Sequence, residues 1–263
     1  MKTTFGILFS LLLLTISCSS DDEGSSNADY LPLNFGNSWT YEVNAPNTTF
    51  DKINVGAEVL IQNKTYQKME VAAAPTGFYA TLLNENGLRK ENAKVLFAGD
   101  LALDLGIDIP LNLSLSDFVL IDAQANNNNT VLASQSNSIS QDFNGFPITI
   151  DYSIKSTALE SLSSFTTSKN ETYPNVKKVK FALTIKVTTL QTIPGTTITI
   201  PITILNNQDV LLATHYYAEN IGMVYGNTVI SYNLAINPSE FGLDIPQSGS
   251  QTQEEFLTTY LLN

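Results

Sequence analysis

Two side chains have no second copy in this sequence that could share their chemistry, the thiol of Cys18 and the imidazole of His215. A disulfide needs two thiols, and a zinc centre needs several Cys or His ligands, so the composition excludes both. His215 lies among Thr214, Tyr216 and Tyr217, which suit a strand, and no Gly-x-Ser-x-Gly elbow supplies a nucleophile for it to activate. A structural or surface role is expected for it. Paired carboxylates remain possible on composition, with Asp+Glu at 25. The aligned acids are Asp100, Asp104 and Asp108, every fourth residue on one face of an alternating stretch. Successive members would stand about 13 Å apart at about 3.3 Å per residue. A glycosidase pair needs about 5 to 9.5 Å, and calcium oxygens sit at about 2.3–2.6 Å from the ion. No Asp-x-Asp-x-Asp-Gly loop or glycine-rich phosphate loop is present. The three acids read as a solvated face. No catalytic, cofactor-binding or metal-ligating residue is assigned, and a non-catalytic chain is expected.

Cys18 belongs to a different chemistry. Residues 1–17 have the anatomy of a secretory signal, with Lys2 at the start and an apolar run over 5–16. That run is too short to cross a bilayer core, which takes roughly 20 residues. The stretch Leu14-Thr15-Ile16-Ser17-Cys18 resembles a bacterial lipobox, with Leu14 one place further from the cysteine than usual. The resemblance implies cleavage before Cys18, diacylation of its sulfur and acylation of the new amine. Those chains exceed the roughly two signals that stable anchoring takes. Ser20-Asp21-Asp22-Glu23 follows, and an acidic cluster behind a lipidated cysteine resembles the export signal of Bacteroidota surface lipoproteins. The same Ser/Asp/Gly-rich residues also read as a solvated tether over 18–29. The expected location is the outer membrane, facing the cell exterior, with the periplasmic face as the alternative.

The elements behind these residues are strands. The chain has 263 residues, 43% hydrophobic and 14% charged, with a net charge of −12. Its polarity therefore comes mostly from Ser, Thr, Asn and Gln. A pI near 4.4 excludes nucleic acid as a partner, since phosphate binding needs Lys/Arg stripes. Apolar residues alternate with polar ones from Leu101 to Leu115, and again over 146–154, 179–187, 198–204 and 230–236. Pro110 implies a bend, an edge or two strands in the first of these. Turn signals at Asn86-Gly87, Asn144-Gly145 and Asn206-Asn207 separate the stretches. Ile109-Pro110-Leu111, Phe146-Pro147-Ile148 and Ile200-Pro201-Ile202 read as similar strand edges rather than a repeat. The reading is mainly β: one domain over 30–240, a single large curved antiparallel sheet or half-barrel, then a linker and short C-terminal helix within 241–263. The helix is placed at 253–262, where Thr252 and Glu255 have capping-box spacing and Phe256, Leu257, Tyr260 and Leu261 form an apolar stripe.

Two further stretches carry a resemblance. Tyr30-Leu31-Pro32-Leu33-Asn34-Phe35-Gly36-Asn37-Ser38-Trp39-Thr40-Tyr41 is similar to the opening Tyr-x-Pro-x-x-x-Gly-x-x-Trp-x-Tyr strand of uncharacterised Bacteroidota lipoproteins. Tyr216-Tyr217-Ala218-Glu219-Asn220-Ile221-Gly222-Met223-Val224 looks like their closing hairpin. The resemblance implies a curved sheet loosely similar to lipoprotein-carrier half-barrels, and no activity. Trp39, Tyr41 and Val43 share a strand face, for which core packing is expected over a ligand platform. Taken together, the sequence points to a lipid-anchored surface lipoprotein acting as a binding or scaffolding module. Its glycan, lipid or protein ligand stays open. The alternatives are a carrier holding a lipid or other apolar ligand in a half-barrel groove and, more remotely, a glycan-processing hydrolase.

Overall fold

The computed structural model describes residues 28–103, 111–125, 128–143, 146–193, 195–241 and 245–263. The alternating stretches form strands β1 (Ser38–Asn44), β2 (Thr48–Ile61), β3 (Lys64–Val71), β4 (Gly87–Glu91), β5 (Lys94–Leu103), β6 (Leu111–Asp122), β7 (Thr130–Phe143), β8 (Phe146–Thr166), β9 (Thr172–Thr192), β10 (Thr199–Ala218), β11 (Gly222–Asn233) and β12 (Ser248–Leu261). One short helix, α1 (Phe78–Leu83), links β3 to β4. Every paired strand is antiparallel, and the order is β6-β5-β4-β3-β2-β1-β12-β11-β10-β9-β8-β7. Apart from β6 and β7, strands consecutive in the chain pair with one another, the first pairs with the last, and the sheet curls into a nearly closed barrel. The break falls between β6 and β7, which are consecutive in the chain. Side chains rather than a backbone ladder bridge it: Gln135 Nε2 donates to Ser114 O at 2.8 Å, and the Ser156 hydroxyl donates to Val119 O.

Local chemistry explains the hairpins. Seven of the ten non-glycine residues with positive φ among the described residues are asparagines, including Asn63, Asn92, Asn170 and Asn220 at strand connections. Asparagine enters the left-handed region at less steric cost than most side chains. Pro147 and Pro201 sit at the starts of β8 and β10, where a missing donor costs least. The alternation from Leu101 to Leu115 divides into β5 and β6, which pair with Leu103 opposite Leu111.

The helix expected over 253–262 is instead strand β12, and the sheet runs on to Leu261. Its ladder satisfies β1 on one side and β11 on the other, from Tyr260 opposite Trp39 to Gly249 opposite Tyr232. A ten-residue helix is marginal in water, and would leave two strand edges unpaired. The misleading stripe comes from a register shift opposite Thr40 and Tyr41, between Thr259 and Leu257. The adjacent Phe256 and Leu257 are both buried, one on each side of the sheet.

The interior is a continuous apolar core. Trp39, Tyr41 and Val43 line it as expected, all nearly inaccessible. The Trp39 indole N–H donates to Ile221 O at 2.6 Å, and the Tyr41 hydroxyl to Met223 O at 3.0 Å. Gly222, at φ +118, allows this contact: a Cβ there would lie 2.9 Å from Trp39 Nε1. The chain entering β1 buries Tyr30, Leu31 and Leu33 across this end of the barrel. α1 fills the middle, with five of its six residues buried. Phe78 meets Phe181 of β9, and Tyr79 meets Tyr41 of β1 and Tyr217 of β10.

Candidate functional site

Cys18, Ser20, Asp21, Asp22 and Glu23 lie outside the described residues, as do Asp104 and Asp108. The described chain begins at Ala28 beside the β10–β11 turn, where the Asn220 N–H donates to Asp29 O at 2.6 Å. Lys90 pairs with the Asp29 carboxylate. Asp100 accepts from the Ser114 hydroxyl across the β5–β6 pair, so its partner is a strand neighbour.

A buried group of titratable side chains surrounds α1. A helix leaves its first backbone N–H groups without internal partners, and here three strand residues supply acceptors. Asp51 of β2 accepts from Thr76 N–H at 3.0 Å, Gly77 N–H at 2.6 Å and the Thr76 hydroxyl at 3.0 Å. Gln253 of β12 accepts from Phe78 N–H at 2.7 Å and returns a bond to Thr76 O at 2.9 Å. Glu255, also of β12, accepts from Tyr79 N–H at 3.1 Å. Asp51 is 3% exposed and Glu255 1%. The packing leaves little room, since a Cβ on Gly77 would stand 2.2 Å from Glu255 Oε1.

His215 completes the layer from β10 at 3% exposure. Its ring stacks on Phe78 and meets the edge of Tyr79, with centroids 6.0 and 5.2 Å away. Nδ1 faces the Tyr217 hydroxyl at 3.4 Å, while Nε2 has no hydrogen-bond partner among the described residues. Burial pushes His215 down to about 4. Burial pushes Glu255 up to about 8; the Asp51 carboxylate adds to the rise, and the N–H bonds from Tyr79 and Ala80 oppose it. At neutral pH the layer therefore holds a neutral imidazole and a largely protonated Glu255, the forms that burial tolerates. The carboxylates of Asp51 and Glu255 are turned toward the start of α1.

Sequence reasoning anticipated the burial of Trp39 and gave His215 a structural or surface role, and it missed Asp51 as well as the reach of Glu255 from β12 to α1. Glu255 meets the start of a helix, but not the one expected over 253–262: the N-cap of α1 is Gly77, far earlier in the chain. No local signal marks Asp51, because its partners lie across a connection.

Outside the barrel, Asp117 sits in a β6 bulge at φ +48. It accepts from Lys64, from the Tyr66 hydroxyl at 2.5 Å and from Arg89 Nε at 2.8 Å. Desolvation opposes its ionisation, but hydrogen bonds from Lys64, Tyr66 and Arg89 hold it down to about 2. Beside it is a shallow depression of about 270 Å³ bordered by Leu33, Asn34, Tyr66, Arg89 and Lys90. Another, of about 480 Å³, lies between the far ends of β7, β8 and β9. The tip of the β8–β9 hairpin folds over an outer aromatic row: Phe165 stacks on Tyr216 at 4.1 Å, Tyr225 lies against Phe256, and Lys169 covers Phe256 while pairing with Glu42. No group of three or more His, Cys, Asp or Glu among the described residues is arranged to hold a metal ion.

The class that fold and site define is an up-and-down antiparallel β-barrel, nearly closed, with an internal helix fixed by buried acids. No protein-family model matches the sequence, and no curated protein is recognisably similar to it. Among solved structures the chain is similar to a provisionally named lipoprotein from Parabacteroides distasonis, at 14% identity over 89% of this chain and 99% of that one, with a TM-score of 0.42. It is also similar to a provisionally named exported protein with a YmcC-like fold from Bacteroides fragilis, at 12% identity over 89% of this chain and 100% of that one, with a TM-score of 0.38.

Proposed function

We propose that this protein is a non-catalytic lipoprotein of the outer membrane, anchored through acyl chains on Cys18 and turned to the cell exterior by Ser20-Asp21-Asp22-Glu23. In this reading the barrel is a rigid binding or scaffolding module. The observation that carries it is the filled interior: α1 and the Tyr30–Leu31–Leu33 segment occupy the space that a half-barrel carrier would keep open for an apolar ligand. The buried acids support the same reading, because their carboxylates accept from the N–H groups at the start of α1 rather than facing an opening. Recognition then falls to the outer surface and the strand connections.

The anchor is tested by Cys18→Ala in the producing cell. Wild-type protein is expected to sediment with the membrane fraction and to gain acyl mass, and the variant to stay in the soluble fraction. A Cys18→Ala protein that still sediments with membranes overturns the anchor.

A further inference from the structure

We propose that the barrel end carrying Phe35, Tyr260 and Leu261 rests on the lipid surface that holds the acyl anchor, so that the module stands on the membrane in a fixed orientation. The proposal rests on lipidation at Cys18. Phe35 is the second residue of a tight turn over 34–37, in which Asn37 N–H donates to Asn34 O at 3.0 Å and Gly36 takes φ +85. A positive φ at the third position is the type II arrangement, and here it leaves the Phe35 ring 71% exposed. The end of β12 is tied to this turn. Asn263 N–H donates to Asn37 Oδ1 at 2.8 Å, and Asn34 Nδ2 donates to Asn263 O at 2.7 Å. Leu261 lies opposite Ser38 and Tyr260 opposite Trp39. Tyr260 and Leu261 are 51% and 58% exposed, and as neighbours in a strand they leave β12 on opposite faces, so the rim beside Phe35 carries a large apolar side chain on each side.

The length of the tether selects the occupant. Nine residues lie between Cys18 and Ala28, and the Cα–Cα steps that join the two reach about 35 Å at full extension. Ala28 enters at the same end of the barrel as the turn over 34–37: its neighbour Asp29 accepts from Asn220 N–H in the β10–β11 turn, and in this antiparallel sheet that turn, the start of β1 and the end of β12 share one end. An acylated Cys18 therefore holds this rim close to the lipid surface, which raises the effective concentration of a weak contact. Aromatic rings with one wet edge, such as Tyr260, favour the headgroup region, and Phe and Leu favour the acyl boundary beneath it.

Because the native thiol is acylated, a cysteine placed elsewhere can be labelled alone. Acylated protein carrying Phe35→Cys or, separately, Leu261→Cys is labelled with an environment-sensitive fluorophore and reconstituted into phosphatidylethanolamine–phosphatidylglycerol vesicles containing brominated lipid. Both labels are expected to lose most of their fluorescence, whereas a label at Ile198→Cys, exposed at the β9–β10 connection, keeps it. Adding Phe35→Ser and Tyr260→Ser should restore the signal at position 261 while the protein still floats with the vesicles. Equal signals at positions 35 and 198 in protein shown by mass to be acylated overturn the contact and leave the anchor standing. Self-association without quenching assigns the rim to a second copy and overturns the contact equally. Protein with no acyl mass on Cys18 overturns the anchor and this contact with it.

Discussion

Glu255 and His215 titrate in opposite directions from one buried layer, and pH separates their effects. Glu255 binds its proton more tightly in the folded state, about 8 against 4.5. Its contribution is therefore complete below pH 4.5 and lost as pH rises through 8. His215 binds its proton less tightly when folded, about 4 against 6.5. Its contribution is present above pH 6.5 and lost as pH falls through 4. Stability should fall on both sides of a mildly acidic to neutral range. Glu255→Gln keeps an acceptor for the Tyr79 N–H and removes the ionisation, so it should cost little near pH 5. By pH 9 it should be more stable than wild type by a few kcal/mol. Thermal melts of both proteins from pH 4 to 9 check this; parallel curves would mean that Glu255 is not the group responsible.

At the scale of elements, α1 shows how little of its stability is its own. Six residues are too few for an isolated helix, and among the described residues its first N–H groups find acceptors on β2 and β12. Removing the Asp51 side chain leaves the Thr76 and Gly77 N–H groups unsatisfied within the core. Asp51→Ala should therefore lower unfolding stability by about 1–3 kcal/mol. Asp51→Asn, which retains an acceptor, should lose less. Denaturant titration of the two variants measures the difference, and equal losses would assign the effect to packing instead. β12 carries the same lesson from the other side. Its apolar stripe suits a helix in isolation, yet β1 and β11 present two edges that only a strand can satisfy.

The whole molecule is a ring of ladders with one break. β1 and β12 come from opposite ends of the described chain but pair along their length, whereas β6 and β7 are neighbours in sequence and are joined by side-chain bonds. Opening should begin where the ladder is missing. Hydrogen exchange is expected to be fastest in β7, and slow in the paired core of β12 around Phe256 and Leu257 despite their position late in the sequence. Faster exchange at Phe256 than along β7 would show that the ring opens at its β1–β12 closure instead.

Much of this was legible in the sequence. Strict alternation from Leu101 to Leu115 and the Asn-rich turns specify antiparallel strands, because side chains alternate across a strand and asparagine tolerates positive φ. The Trp39–Tyr41–Val43 face specifies core in the same way. The isolated Cys18 specifies an expected anchor by its place after a signal-like run. What tertiary structure decided was closure. Whether the curved sheet stays open depends on pairing between β1 and β12, more than 200 positions apart, and no local pattern encodes that distance. The partners of Asp51 and Glu255 depend on it too. Their hydrogen bonds, and the raised pKa of Glu255, are set by burial, and burial exists only once the strands have closed around α1.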